Sequence, residues 1–115
     1  MIRLELPIPP SANNLFLNPP RPRMRRPVSP IYTRWQWEAR AALPKPLPEA
    51  IKGPYRLRLL LPMNMRGDVD NRLKAASDFL VSFALIPNDR HALSVMAERS
   101  VEVRAGWSIV EVEAA

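Results

Sequence analysis

The chain contains no cysteine, so neither a disulfide framework nor a thiolate zinc site is open to it. It has no apolar run approaching the roughly 20 residues that span a bilayer. Its first residues do not follow the charged-then-apolar order of a secretory signal, and no internal repeat is visible. Together these absences predict a cytoplasmic protein with no membrane segment. Only one histidine is present, His91. Two roles remain open for it, proton transfer beside Asp89 and plain exposure on a loop, of which the second is the ordinary one. The 115 residues are enough to bury roughly two thirds of the unfolded surface, so one domain over residues 1–115 can form a core without staples.

What the chain does have is positive charge and proline. Its 17 Lys and Arg outnumber 11 Asp and Glu, giving a formal charge of +6 and a pI near 10.8. That balance favours an anionic partner, nucleic acid among them. Against this background the acids of Arg66-Gly67-Asp68-Val69-Asp70-Asn71-Arg72-Leu73-Lys74, with Asp89 further on, stand out. Side chains two residues apart share a side of an extended chain but diverge by about 200° on a helix. Asp68 and Asp70 therefore converge only if Asp68 is still extended. Gly67 and Asp68 make a helix entry with Asp68 as N-cap and Asp70 in the first turn. Val69, Leu73, Ala76, Leu80 and Phe83 recur at intervals of four and three, predicting an amphipathic helix over residues 68–84. Asp70 and Lys74 stand four apart, in the acid-first order that suits the helix dipole.

Taken singly, each residue has a structural explanation. Asp68 can be a cap worth about 1 kcal/mol, Asp70 with Lys74 an exposed ion pair worth less, and Asp89 the start of a turn after Pro87. Asn71 can cap, contact a ligand or face solvent. As a set they are less ordinary, because a cap needs one acid whereas a hard cation needs two or three oxygen ligands plus water.

The remaining pattern gives the architecture. Ile2, Leu4 and Leu6 alternate with Arg3 and Glu5 as in a half-buried strand, which Pro7, Pro9 and Pro10 end. A first helix is expected near Thr33, which with Gln36 fits a capping box; Ile31, Trp35, Ala39, Ala42 and Leu43 form its inward stripe. Trp37 falls off that stripe, where base stacking, helix packing and a subunit contact are all open. Tyr55, Leu57, Leu59 and Leu61 alternate with Arg56 and Arg58 in a second strand. Residues 93–103 and 107–112 read as a hairpin turned at Ala105-Gly106. The order β-α-β-α-β-β predicts an α/β (α+β) domain, a small mixed sheet with two main helices.

Residues 18–30 hold five prolines among Arg21, Arg23, Arg25 and Arg26. Such a segment cannot make a core and is expected to be an extended, mobile arm. Three roles are open. It can contact phosphates through its guanidinium groups, remain a solvated loop, or offer Pro19 with Pro22, or Pro27 with Pro30, to a proline-recognition domain.

The strand leading into Pro9-Pro10-Ser11-Ala12-Asn13, and the segment Asp68-Val69-Asp70-Asn71-Arg72-Leu73-Lys74 continuing through Ala75-Ala76-Ser77-Asp78, resemble the RusA family of Holliday junction resolvases. The resemblance extends over nearly the whole chain in length and element order. It implies a Mg²⁺-dependent endonuclease, with Mn²⁺ as a substitute, that resolves four-way DNA junctions as a homodimer by paired symmetric nicks. Asp68, Asp70 and Asp89 match the family's metal-binding acids, and Lys74 its catalytic lysine. Many relatives carry two adjacent aspartates where this chain has Asn88-Asp89, so the third ligand is placed on Asp89. The family does not account for the arginine-rich arm. Arg21, Arg23, Arg25, Arg26, Arg66 and Arg72 form the expected DNA-contacting set. The resemblance places the protein on DNA in a bacterial or phage-infected cell.

Two other classes of function fit the same composition, a non-catalytic nucleic-acid binder and an adaptor recruited through the arm. Changing Arg21, Arg23, Arg25 and Arg26 together to Ala is expected to flatten the salt dependence of junction affinity, since each phosphate contact contributes about 0.9 to the slope of log affinity against log salt. Any sequence preference at the cut should persist, because phosphate contacts position without reading bases. Superimposable slopes in a salt titration of wild type and variant would assign the segment to solvent.

Overall fold

The computed structural model describes residues 1–17 and 25–115. Six main elements follow in the expected order: β1 (Ile2–Pro7), α1 (Pro30–Ala41), β2 (Tyr55–Pro62), α2 (Leu73–Ser82), β3 (Ala92–Ser100) and β4 (Trp107–Ala114). The strands form one sheet in the order β1-β4-β2-β3. The fold is thus mixed α+β, four strands and two helices. Among the described residues no helix is long and apolar enough to cross a membrane.

The sheet corrects the predicted hairpin. β3 does not pair with β4; it lies parallel to β2, with Leu57 opposite Val95, and α2 makes the crossover. β4 is antiparallel to both β1 and β2, with Leu4 and Leu59 both opposite Val110. The glycine turn is present, with Gly106 at φ +85°, but it leads across the sheet edge. Burial explains the difference. Ser108, Ile109, Val110 and Val112 are buried, a pattern that needs neighbours on both sides, whereas most of β3 is exposed and suits an edge.

Both helices cover one sheet face. Ile2, Leu4 and Leu6 meet Tyr55, Leu57, Leu59, Leu61, Val110 and Val112 there, under Tyr32, Trp35 and Ala39 of α1 and Ala75, Ala76, Phe79 and Leu80 of α2. The other face is charged. Arg3 pairs with Glu111 and Glu102, Arg58 with Glu98 and Glu111, and Arg104 with Glu5. A small second cluster of Leu60, Val103 and Ile109 covers one end of that face.

The start of α1 also differs from expectation. Ser29, not Thr33, is the N-cap: its hydroxyl accepts from the Tyr32 N–H at 3.1 Å and donates to the Asn14 carbonyl. Pro30 occupies the first helical position, where a missing N–H is harmless. Starting the helix earlier puts Tyr32 inside and leaves Ile31 58% exposed. The segment before it is pinned as well. Leu17 N–H bonds to the Pro27 carbonyl at 2.8 Å and Ser29 N–H to that of Leu15 at 2.9 Å, around a Phe16–Val28 bridge. Residues 27–30 are therefore a closed neck and helix start, not part of a mobile arm, and Pro27 with Pro30 is no extended ligand. Arg21, Arg23, Pro19 and Pro22 lie outside the described residues.

α2 is shorter than the sequence pattern predicts. A 3-10 turn, Asp70–Arg72, precedes it, and it closes with Leu85 N–H on the Leu80 carbonyl at 3.0 Å and Ala84 N–H on that of Val81 at 2.9 Å. These are the paired bonds of a helix end that places its next residue in the left-handed region. Ala84 holds that place at φ +56°, where a Cβ costs roughly 1–2 kcal/mol. Ala84→Gly is expected to raise stability by about 1 kcal/mol, read from the urea midpoint at constant m-value. An unchanged or lower midpoint would show that the alanine is not strained there.

Candidate functional site

After β2 the chain turns through residues 63–69 before entering α2, and two arginines fix that turn. Arg99 of β3 donates to the carbonyls of Met65 and Gly67, the latter at 3.0 Å. Arg72 donates to Pro9 at 3.0 Å and to Arg66 at 3.4 Å. Gly67 sits at φ +93°, and a Cβ there would lie 3.2 Å from the Arg72 guanidinium. Glycine is needed both for the backbone conformation and for the approach. Arg72 is thus committed to backbone carbonyls and is not a free DNA contact. Arg99 has no signal in the sequence, since its partners come from a turn some 30 residues earlier.

This turn displays Asp68 and Asp70 on the surface, both exposed. Asp68 does not cap the helix. The 3-10 turn begins after Val69 and α2 after Arg72, neither with a side-chain cap. Asp70 opens the 3-10 turn, and the predicted pair with Lys74 does not form. Lys74 pairs instead with Asp78 at 3.2 Å. The tighter 3-10 winding takes Asp70 off the face that i,i+4 spacing would give it on a continuous α-helix.

Asp89 opens a second 3-10 turn, Asp89–His91, just before β3. Asn88 Oδ1 accepts from the Arg90 N–H at 3.1 Å. The Asn88 side-chain oxygen is therefore used in capping, while the Asp89 carboxylate is exposed. His91 is exposed too, with Nε2 3.5 Å from Arg90 Nε.

Between α2 and β3 runs an open groove of about 580 Å³. Lys74, Ser77, Asp78, Asp89, Arg90 and Ser94 give it polar walls, and Leu57, Leu73 and Val95 are among its apolar lining. Lys74 and Asp89, far apart in sequence, are thereby brought to one site. Asp68 and Asp70 do not line it. They follow the C-terminal end of β2, whereas Asp89 precedes the N-terminal end of the parallel β3. Among the described residues no group of three or more His, Asp or Glu stands close enough to hold a metal ion.

Tyr55 supplies a feature that sequence reasoning missed, having read it only as an inward strand residue. It is fully buried, and the Ser77 side chain lies near its hydroxyl without completing a well-formed hydrogen bond. Burial raises its pKa above the ordinary 10.0, the negative charge of Asp89 adds to the rise, and the Ser77 side chain opposes it. Ser77 and Asp89 both line the groove, so the unmet hydroxyl lies beside it. A buried hydroxyl left without a full hydrogen bond costs roughly 1–3 kcal/mol.

The acids differ in how they are used. Glu5, Glu38, Asp78, Glu98, Glu102 and Glu111 all form salt bridges. Asp68, Asp70 and Asp89 form none with described residues, a property shared with Glu49 and Glu113. Hard, unpaired oxygens suit Mg²⁺, which binds through one or two carboxylates together with substrate phosphates more often than in an all-protein cage. The donor chemistry fits the ion; a closed three-carboxylate cluster is not there. Of the other expected DNA contacts, Arg25 and Arg66 are exposed. Arg26 donates to the carbonyls of Phe16 and Leu17 at 3.3 and 3.4 Å and lies over the Phe16 ring.

No protein-family model matches the chain, and no curated protein matches it significantly.

Tyr55→Phe removes only the unpaired hydroxyl, so stability is expected to hold or rise by up to about 1 kcal/mol. Below pH 10 Tyr55 is neutral in both folded and unfolded chains and its contribution is fully present. Above 10.0 the unfolded tyrosine ionises first, so stability falls as pH climbs toward the raised folded value. The variant should blunt that alkaline fall, with Tyr32, also raised by burial, providing the remainder. Urea unfolding between pH 8 and 11 measures both effects, and a loss of more than about 1 kcal/mol at pH 8 would mean the hydroxyl is bonded.

Proposed function

We propose that the chain is a magnesium-dependent, structure-selective DNA endonuclease that nicks four-way junctions, acting as a homodimer. The observation that carries this reading is the groove between α2 and β3, which brings Lys74 and Asp89 to one site. The resemblance of residues 68–74 to the RusA motif gives the reaction class. The charge balance of the chain favours the polyanion.

Each residue has a task that follows from its chemistry. Lys74 is a compact ammonium on a flexible stem, held to Asp78 by an exposed ion pair. Such a pair is worth less than about 1 kcal/mol, so a phosphate entering the groove can draw the ammonium away and have its growing charge neutralised during attack. Asp89 is exposed and unpaired among the described residues, free to accept a hydrogen bond from the attacking water and orient it. Asp68 and Asp70, held outward by the Arg72 and Arg99 clamps, lie at the other end of β2 and β3 from Asp89, where the resemblance gives them a metal-binding role. Magnesium, when bound by Asp68 and Asp70 or by Asp89 together with substrate phosphate, would supply charge neutralisation and water activation. A four-way junction has approximate two-fold symmetry, so a two-fold dimer presents two equal sites to opposing strands.

The separate placement of Asp68 and Asp70 from Asp89 favours a second reading, a basic DNA-binding protein without cleavage activity. One experiment separates them. A synthetic four-way junction is incubated with protein with and without Mg²⁺, and nicked strands are resolved on a denaturing gel. Under the first reading wild type nicks only with metal, and Asp68→Asn, Asp70→Asn and Asp89→Asn each abolish nicking while junction binding is retained. Lys74→Ala slows single-turnover cleavage strongly, by 10²-fold or more, and Lys74→Arg is also impaired because a broad guanidinium does not replace an ammonium. Binding without nicking by wild type establishes the second reading.

A further inference from the structure

Trp37 is the one tryptophan that the fold leaves in solvent, 66% exposed. Trp35 is buried and bonds the Pro7 carbonyl through its indole N–H at 2.9 Å, and Trp107 is half-buried under Arg104. The inward stripe of α1 is Tyr32, Trp35 and Ala39, and Trp37 faces away from it, so helix packing does not account for this side chain. It lines a cleft of about 240 Å³ between α1 and the last turn of α2, with Thr33, Gln36, Arg40, Phe79, Ser82 and Phe83. The cleft is aromatic at its base, where the Phe79 and Phe83 rings lie 4.9 Å apart. Its rim is polar, formed by Thr33, Gln36 and Ser82. Arg40 adds a positive charge that forms no salt bridge with described residues, while Arg34 on the same helix is neutralised by Glu38.

We infer that this cleft binds an unstacked nucleobase of single-stranded DNA, the base lying on the Trp37 indole and its phosphate on Arg40. Each part of the cleft matches one part of a nucleotide. A flat exposed aromatic offers a stacking face to any base, a guanidinium pairs with phosphate, and hydroxyl and amide groups on the rim meet the donors and acceptors of a base edge. A base inside a duplex is already stacked on both faces and has none to offer, so the ligand is a single strand or a base extruded from a helix. The cation without a partner, in a chain of charge +6, makes DNA a better match than an apolar peptide. Lys74 and Ser82 are eight residues apart on α2, about 12 Å at 1.5 Å per residue. One strand can therefore reach both the groove and the cleft. The inference takes its partner class from the reading above but does not require cleavage.

The test is metal-free binding of a labelled oligothymidine 12-mer and of a 12-base-pair duplex, followed by fluorescence anisotropy, for wild type, Trp37→Ala, Trp37→Phe and Arg40→Gln. Trp37 and Arg40 are both exposed, so these variants should fold as wild type does, which circular dichroism verifies. Trp37→Ala is expected to weaken single-strand binding about ten-fold or more with little change on the duplex, and Trp37→Phe to restore most of it. Arg40→Gln should weaken single-strand binding and lower its salt slope by about 0.7. Equal single-strand affinity for Trp37→Ala and wild type, or an equal loss on single strand and duplex, overturns the inference. So does a Trp37→Ala variant whose only change is its sedimentation mass, since that makes the cleft a contact between copies. A wild type that binds the 12-mer through Trp37 yet never nicks a junction leaves this site standing and removes the nuclease reading alone.

Discussion

Everything in this domain hangs on β4 being held between β1 and β2. Val110 and Val112 are fully buried at the centre of the sheet, and the ladders on either side align β1 and β2 through a strand that comes after both. The two outer-face partners Arg3 and Glu111 are 108 residues apart in sequence. Long closures of this kind are slow to form but add little to the entropic cost of folding, because that cost grows only with the logarithm of loop length. With β4 in place, β3 becomes an edge strand supported on one side only. The groove exists because neither helix covers that edge, which leaves part of the inner face open beside α2.

The element order and most of the inward residues could be read from the sequence, because alternation and helical spacing are local properties. Ile2, Leu4 and Leu6, the inward half of β2, and Ala76 and Leu80 of α2 are where their spacing puts them. The failures are all questions of partner. The hairpin was inferred from adjacency, although the continuous burial of residues 108–110 is the pattern of a central strand. Thr33 and Gln36 had the letters of a capping box, yet Ser29 directly before Pro30 was the stronger combination. Asp68 had the right side chain for a cap, but a 3-10 turn separates it from the α-helix. Lys74 stands in the acidic segment and Asp89 after the helix, and the groove brings the two together. The roles of Tyr55 and Arg99 were not legible, since an unpaired hydroxyl and a guanidinium clamp are properties of the assembled chain.

Charge is divided between the two sides of the sheet in a way that total composition conceals. On the outer face Arg3, Arg58 and Arg104 are neutralised by acids along the strands. Each exposed pair stabilises by no more than about 1 kcal/mol, but together they remove three cations and four acids, Glu5, Glu98, Glu102 and Glu111, from the protein's external field. Asp68 and Asp70 at one end of the β2–β3 pair and Asp89 at the other keep no salt-bridge partner among the described residues. Exposed carboxylates in a molecule of net positive charge repel a polyanion locally unless a cation neutralises them, while the surrounding cations attract one.

The Arg72 guanidinium links two segments that the sequence shows as separate motifs, the Pro9-Pro10-Ser11 run after β1 and the acidic turn before α2. Its two ends bond the carbonyls of Pro9 and Arg66, and its Nε is buried with no partner of its own. The two segments are therefore mechanically joined through one side chain. A displacement of the proline run is transmitted to the acidic turn unless the guanidinium lets go of one carbonyl, so the exposed carboxylates of Asp68 and Asp70 take their position in part from a segment some 60 residues earlier in the chain.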